Sequence, residues 1–282
     1  MYKVEDGIIK LENGNINEGL IAIASGKGGV GKSTVTVNLA ISLAKAGKKV
    51  GILDADIHGF SIPRIIGLKD EAKTKDNKTI IPPKSFNIKV ISMGSFVDER
   101  NPVVWRAPLL SGALQQFMQD VEWGELDYLL LDLPPGTGDM ALDIMQNLPH
   151  AEVLVVTTPQ PTAVHVAGRI GKAAEKLDVD VLGVIENMSY FRCDDCGHKE
   201  YIFGQGGGKD LAKELNTDLL GQLPLDPIAR QASDDGLPIV EAKKELEISK
   251  VYKKISETIT SKKPEFDPNK KPISLQNGPA CH

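Results

Sequence analysis

Cysteine is scarce: the 282 residues contain only Cys193, Cys196 and Cys281. That excludes a disulfide-stapled scaffold, and two of the three form one C-x-x-C, which in a reducing compartment reads as metal or redox chemistry. Long apolar runs are also missing. The longest are the length of a strand and too short to cross a bilayer. There is no block of one charge sign. The formal net charge is −5 and lysines are mixed with acids along the chain, so no basic stripe marks a nucleic-acid surface. The opening MYKVEDGIIKLENG is neither a signal peptide nor a transit peptide, and a cytoplasmic protein is expected, with neither nucleic acid nor membrane as partner.

What is present is ordinary for a globular chain: 41% hydrophobic and 25% charged residues. Apolar, β-branched runs alternate with helical patterns. Strands are expected at Leu20–Ser25, Lys49–Leu53, Ile88–Met93, Tyr128–Asp132, Val153–Thr157 and Val181–Ile185, and a helix at Lys32–Lys45. Strands this apolar are covered on both faces, which predicts an α/β fold with a mostly parallel sheet in three layers. Glu71–Lys84 reads as an exposed loop. Glu245–Ser261 reads as a last helix, packed on the body through Leu246, Ile248, Val251, Ile255 and Ile259; a membrane-surface helix is the rival reading. The expected organisation is a leader at 1–19, one α/β domain at 20–261 with an insertion near 190–208, and a flexible tail at 262–282.

The strongest motif is Gly26-Lys27-Gly28-Gly29-Val30-Gly31-Lys32-Ser33-Thr34, which fits G-x-x-x-x-G-K-[ST] between a buried strand and an amphipathic helix. Glycines let backbone N–H groups turn inward around phosphate oxygens, and the helix N-terminus adds its positive dipole end. Lys32 is expected on the β- and γ-phosphates of ATP, the Ser33 hydroxyl on Mg²⁺, and Thr34 at the α-phosphate. The bland alternative is a tight glycine turn. Asp54 and Asp56 follow the second strand, where carboxylates point into the ligand crevice of a parallel sheet. Asp56 is the better candidate for the attacking water or a water on Mg²⁺; Asp54 supports the loop. Leu129-Leu130-Leu131-Asp132 is an apolar strand ending in one acid, the Walker B pattern, with Asp132 on Mg²⁺ or its water. The loop Leu133-Pro134-Pro135-Gly136-Thr137-Gly138-Asp139 follows, and the Gly136 N–H is placed to sense the γ-phosphate.

Lys27 is not demanded by the general motif. GKGGVGKST resembles the deviant Walker A of the MinD/ParA/Mrp class of ATPases, and DLPPGTGD resembles switch II of its Mrp/ApbC group; Val104-Trp105-Arg106-Ala107-Pro108 and YIFGQGGG are further stretches similar to that group. The resemblance runs from about Gly19 to about Val240. It implies that Lys27 reaches the nucleotide of the other subunit of a homodimer, that Asn187 bonds the adenine, and that Leu223-Pro224-Leu225-Asp226 lines the other side of the base. It also implies that Cys193 and Cys196 are ligands to an iron–sulfur cluster shared by two subunits, and a carrier or scaffold that serves apo iron–sulfur proteins together with cluster assembly proteins. A [4Fe–4S] cluster usually takes four thiolates, so two chains with one pair each supply the set. Asp194 stands where the family has proline. The acids Asp194 and Asp195 add negative charge beside the thiolates, which lowers a cluster's reduction potential or weakens its retention. No cysteine-rich N-terminal extension is present, so a second stable cluster is not expected. Zinc on the same cysteines, alone or with His198, a dithiol redox pair and a purely structural pair remain open, as does a positioning ATPase like MinD or ParA. Cys281 reads as a tail thiol, with a third ligand as the alternative.

Overall fold

The computed structural model describes residues 3–5, 8–56, 59, 61–76, 78–96, 107–136, 138–193, 195–262, 266 and 270. The tail cysteine Cys281, the resemblance at Val104–Arg106 and the substitution at Asp194 lie outside them. The elements run β1 (Lys3–Glu5), β2 (Ile8–Leu11), β3 (Gly14–Ser25), α1 (Lys32–Lys45), β4 (Val50–Asp54), α2 (Ile62–Ile65), β5 (Lys73–Lys75), β6 (Thr79–Ile81), β7 (Lys84–Ser85) and β8 (Ile88–Ser92). They continue as α3 (Ala107–Asp120), β9 (Gly124–Asp132), α4 (Asp139–Asn147), β10 (Glu152–Thr157), α5 (Pro161–Lys176), β11 (Val181–Glu186), β12 (Phe191–Arg192) and β13 (Lys199–Glu200). The chain closes with α6 (Gly207–Glu214), β14 (Leu219–Gln222), α7 (Pro227–Asp234), α8 (Ile239–Ala242) and α9 (Glu247–Ser261).

The main sheet is ordered β14-β11-β10-β3-β9-β4-β8-β7. From β14 to β8 every neighbouring pair is parallel; the short edge strand β7 is antiparallel, as are β1 and β2, which join the sheet through the first residues of β3. Parallel neighbours need crossovers, and the helices that make them cover both faces. One core lies under α3, α4, α5 and α6 through Leu114, Ile144, Met145, Ile170 and Leu211. The other lies under α1, α8 and α9 through Val35, Leu39, Val240, Tyr252 and Ile255. The expected three-layer α/β architecture is the observed one, and it puts the carboxyl ends of β3, β4, β9, β10 and β11 along one rim. Ligands bind at that rim in open parallel sheets.

Three segments differ from the sequence reading. Part of the expected leader is sheet: β1 pairs with β2, and β2 pairs antiparallel with the first residues of β3, which extends back to Gly14. Ile9 and Ile16 are fully buried there, with Val4 and Leu11 packed against the same core, so a few apolar residues in a polar stretch fasten it. Within the expected loop at 71–84, β5 and β6 form a small hairpin, turning at Asp76 with φ 54 and held by a bridge from Ile80 to Val121. In the expected flexible tail, Phe266 is buried and meets His150 edge-on with ring centroids 6.3 Å apart. The last helix, α9, buries Ile248, Tyr252, Ile255 and Ile259, so its apolar face is spent on the body, which is the core-facing reading of that segment. No helix among the described residues is long and apolar enough to cross a membrane.

Leu130 lies in the fully buried second half of β9, with no exposure. Leu130→Ala is expected to lower stability by about 2–5 kcal/mol, read from urea unfolding.

Candidate nucleotide site and the cysteine turn beside it

β3 ends at Ser25, the loop spans residues 26–31, and α1 begins at Lys32. Gly29 and Gly31 hold φ values of 81° and 83°, a region that disfavours side chains, so the loop's reversals depend on them. At Gly31 an added Cβ would also lie 2.3 Å from the Asn187 amide nitrogen. Gly26 has a different constraint: a Cβ there would lie 2.5 Å from the backbone nitrogen of Ala167, so the loop packs directly on α5. Gly28 has open space around it. Val30 is buried, and Asn187 donates its side-chain N–H to the Val30 carbonyl at 2.8 Å, stitching the end of β11 to the loop.

Asp132, fully buried at the end of β9, organises the first turn of α1. Lys32 Nζ donates to its Oδ2 at 2.6 Å, Ser33 Oγ to the same oxygen at 2.7 Å, and Thr36 Oγ1 to Oδ1 at 2.6 Å. Thr36 escaped the sequence reading. Its signal was its place one helical turn after Lys32, which puts both on one face. Asp56 Oδ2 is 3.9 Å from Lys32 Nζ, and Asp56 Oδ1 accepts the Gly59 N–H at 3.1 Å. Asp54 is fully buried; it accepts from Ser92 Oγ at 3.0 Å and from the Asp56 N–H at 3.1 Å. Burial, and then the charge of Asp132, push its carboxyl up to about 7. Asp54 thus holds the loop that aims Asp56.

The two groups expected to reach other parts of the nucleotide are engaged within the chain. Gly136, with φ 92°, donates its N–H to the Ser25 carbonyl at 2.8 Å, and Lys27 Nζ donates to Gln160 Oε1 at 3.0 Å. The single Gly136 N–H must leave its present acceptor to meet a phosphate, whereas the Lys27 ammonium uses one of its three donors on Gln160. Beside the loop lies a cavity of about 640 Å³, within the usual range for small-molecule sites. Its wall includes Gly31, Thr34, Asn187, Pro224, Asp226 and Tyr252. Asp226 is there as a helix cap: its Oδ1 accepts from the N–H groups of Ile228 at 2.7 Å and Ala229 at 3.2 Å.

Cys193 and Cys196 sit on the turn joining β12 to β13, with Arg192 opposite Lys199 in register. The turn is closed by the Gly197 N–H on the Cys193 carbonyl and the Cys193 N–H on the His198 carbonyl, both at 2.9 Å, with Gly197 at φ 71°. Cys196 is exposed and Cys193 partly so. Among the described residues no three His, Cys, Asp or Glu side chains gather as a metal site. The turn is rooted at Glu186, another fully buried acid, to which the sequence reading gave no role. It accepts from Gln222 Nε2 at 2.7 Å, from Ser189 Oγ and from the Gly208 N–H, thereby pinning both the departing and the returning chain. An acid closing an apolar strand, as in VLGVIE, was the same signal that marked Asp132.

A sequence model described as ParA, NUBPL iron-transfer P-loop NTPase, matches residues 17–260. The chain belongs to this family. Curated relatives of this NUBPL-type NTPase include the iron-sulfur cluster carrier protein of Bacillus subtilis, 50% identical over 249 residues, covering 86% of this chain and 68% of that protein. The carrier protein of Methanocaldococcus jannaschii is 48% identical and covered to 86% on both sides. That of Escherichia coli is 46% identical, with 86% and 66% covered. The chain thus spans about two thirds of the length of the Bacillus and Escherichia proteins. Among solved structures, a nucleotide-binding protein of Archaeoglobus fulgidus in complex with ADP matches with TM-score 0.68 at 42% identity, over 78% of this chain and 86% of that one. The septum site-determining protein MinD of Pyrococcus horikoshii matches with TM-score 0.63 at 24% identity, over 86% and 95%, a likeness of fold.

Two substitutions test the packing of the loop. Gly26→Ala is expected to destabilise the protein by about 1–3 kcal/mol because backbone of α5 cannot yield to the new methyl. Thr36→Val is expected to cost about 1–3 kcal/mol by leaving Asp132 Oδ1 buried without its donor. Thermal unfolding of both variants measures this.

Proposed function

We propose that this chain is an ATP-binding, ATP-hydrolysing carrier or scaffold that holds a [4Fe–4S] cluster between two copies and passes it to apo-proteins. One observation carries the reading: the Cys193–Cys196 turn grows out of the wall of the cavity beside the phosphate loop. Asn187 and Met188 line that cavity, and Ser189 and Tyr190 lead from them into the cysteine hairpin. The carrier names of relatives 46–50% identical support it. So does membership of a P-loop NTPase family, whose chemistry is nucleotide binding and hydrolysis.

In this reading the amides from Gly26 through Thr34 cradle the phosphates, and the base enters the cavity by Asn187, Pro224 and Asp226. Lys32 exchanges its bond to Asp132 for the β- and γ-phosphates. Ser33 and Asp132 converge within hydrogen-bond distance at the loop, with Asp56 nearby, and this set of hard oxygen donors suits Mg²⁺. When bound, that ion supplies positive charge against the phosphate oxygens. Asp56 orients the attacking water, and Gly136 reports the γ-phosphate by giving up the Ser25 carbonyl. Lys27 leaves Gln160 and crosses to the nucleotide of the second copy, where it acts much as an arginine finger does. The cargo needs the same second copy, since each chain brings two thiolates to a cluster that usually takes four. Residues 20–261 form the ATPase unit in this scheme, with 190–208 as the cargo-holding insertion, in a cytoplasmic setting where thiols stay reduced.

Lys32→Ala is expected to cut ATP turnover at least about a hundredfold, the scale of losing one transition-state donor; unchanged hydrolysis would sink the phosphate assignment. Anaerobic reconstitution should yield about four irons and four sulfides per dimer. Cys193→Ala and Cys196→Ala should each abolish that loading. Zinc retained in place of iron under these conditions would overturn the cargo assignment.

A further inference from the structure

The geometry points to Glu247 as a positioning residue that couples the nucleotide cavity to the thiol pair. The inference deepens the carrier reading above and rests on it. Glu247 opens α9, and its carboxylate gathers the base of the cysteine hairpin. The Tyr190 hydroxyl donates to Oε1 at 2.7 Å, Arg192 Nη1 donates to Oε2 at 2.9 Å, and Lys199 Nζ lies 3.4 Å from Oε1. Lys199 Nζ also stands 3.8 Å over the Tyr190 ring, a cation–π contact. Arg192 and Lys199 face each other across β12 and β13, and Arg192 is the residue before Cys193. One carboxylate therefore holds both strands of the turn at the point where the thiols begin.

The other side of the same helical turn faces the cavity. Ile248, next in sequence, and Tyr252, one turn later, both line it. The stem is bound to that wall a second time, because the Leu225 N–H donates to the Tyr190 carbonyl at 2.7 Å and Leu225 is also a lining residue. An occupant of the cavity thus bears on the first turn of α9 and on the hairpin stem together. An exposed ion pair alone is worth little. Here three donors from one hairpin converge on a single acceptor, and the central one, Tyr190, is 7% exposed. A shift of α9 that accompanies a change of nucleotide changes where Glu247 holds Arg192 and Lys199, and hence how Cys193 and Cys196 are presented. Such coupling requires that the two nucleotides make different contacts with the site, and it acts in both directions.

The test uses the full reduced chain under anaerobic conditions with cobalt(II) as probe. Thiolate-to-cobalt absorption reports the sulfur ligands directly. Cobalt affinity is measured with ADP and with a non-hydrolysable ATP analogue, in the parent protein, in Glu247→Ala and in Arg192→Ala. The parent is expected to show an affinity ratio between the two nucleotides of roughly 5–150-fold, the common span of allosteric coupling. In both variants that ratio should fall to about one, while the thiolate band persists and nucleotide affinity without metal stays within about twofold. A merely structural surface contact would leave the ratio intact, and an intact ratio in either variant overturns the proposal. A parent ratio of one overturns it as well. Absence of a thiolate band in the parent removes the carrier reading itself, a result distinct from the other two. If Glu247→Ala does not fold, Arg192→Ala, altered on the hairpin side alone, decides the matter.

Discussion

Everything at the nucleotide rim depends on one buried carboxylate. Asp132 has no exposure, and three donors of α1 converge on it. A charge in that position is tolerable only when paired and hydrogen-bonded. Removing one partner of such a buried pair typically costs about 3–5 kcal/mol, so the arrangement is all or nothing. It fixes the start of α1 against the end of β9, and with it the direction in which the glycine loop turns. The same demand makes the site responsive. In the proposed function, a triphosphate that takes Lys32 away from Asp132 would leave the carboxylate in need of a new positive partner, the place proposed for Mg²⁺.

The cysteine turn depends on another buried acid, one that gathers three donors as Asp132 does. Glu186 ends β11 and collects donors from Ser189, Gly208 and Gln222, so the chain leaves the sheet and returns to it at one anchor. Asn187 follows immediately and reaches the phosphate loop through the Val30 carbonyl. Two residues adjacent in sequence therefore serve the two halves of the proposed chemistry. No long relay is needed to connect them, since the cavity wall and the stem of the cysteine hairpin are the same piece of chain.

Much of this was legible because its signals are short-ranged. The loop Gly26–Thr34 declares itself through spacing alone, and the acid at the end of Leu129–Leu131 needs only the strand before it. Strand-sized apolar runs between helical patterns were enough to predict the parallel sheet. Segments whose order rests on distant partners were read less well. The strands before residue 19 are secured by isoleucines that find their core only when β9 and β3 lie together, and Phe266 finds His150 more than a hundred residues away. The same holds for the hairpin at Lys73–Ile81, whose apolar contact is with Val121.

The sequence by itself determined the kind of chemistry available: a phosphate-binding loop with an extra lysine, acids at strand ends, and one pair of thiols. Those follow from residue types at fixed local spacing, where covalent geometry leaves few choices. Only the tertiary structure decided which groups are already committed and to whom. Lys27 rests on Gln160, Gly136 on Ser25, and Asp226 on its own helix. Such pairings arise because every buried or half-buried polar group must find a partner, and the nearest one is set by packing between elements far apart in the chain.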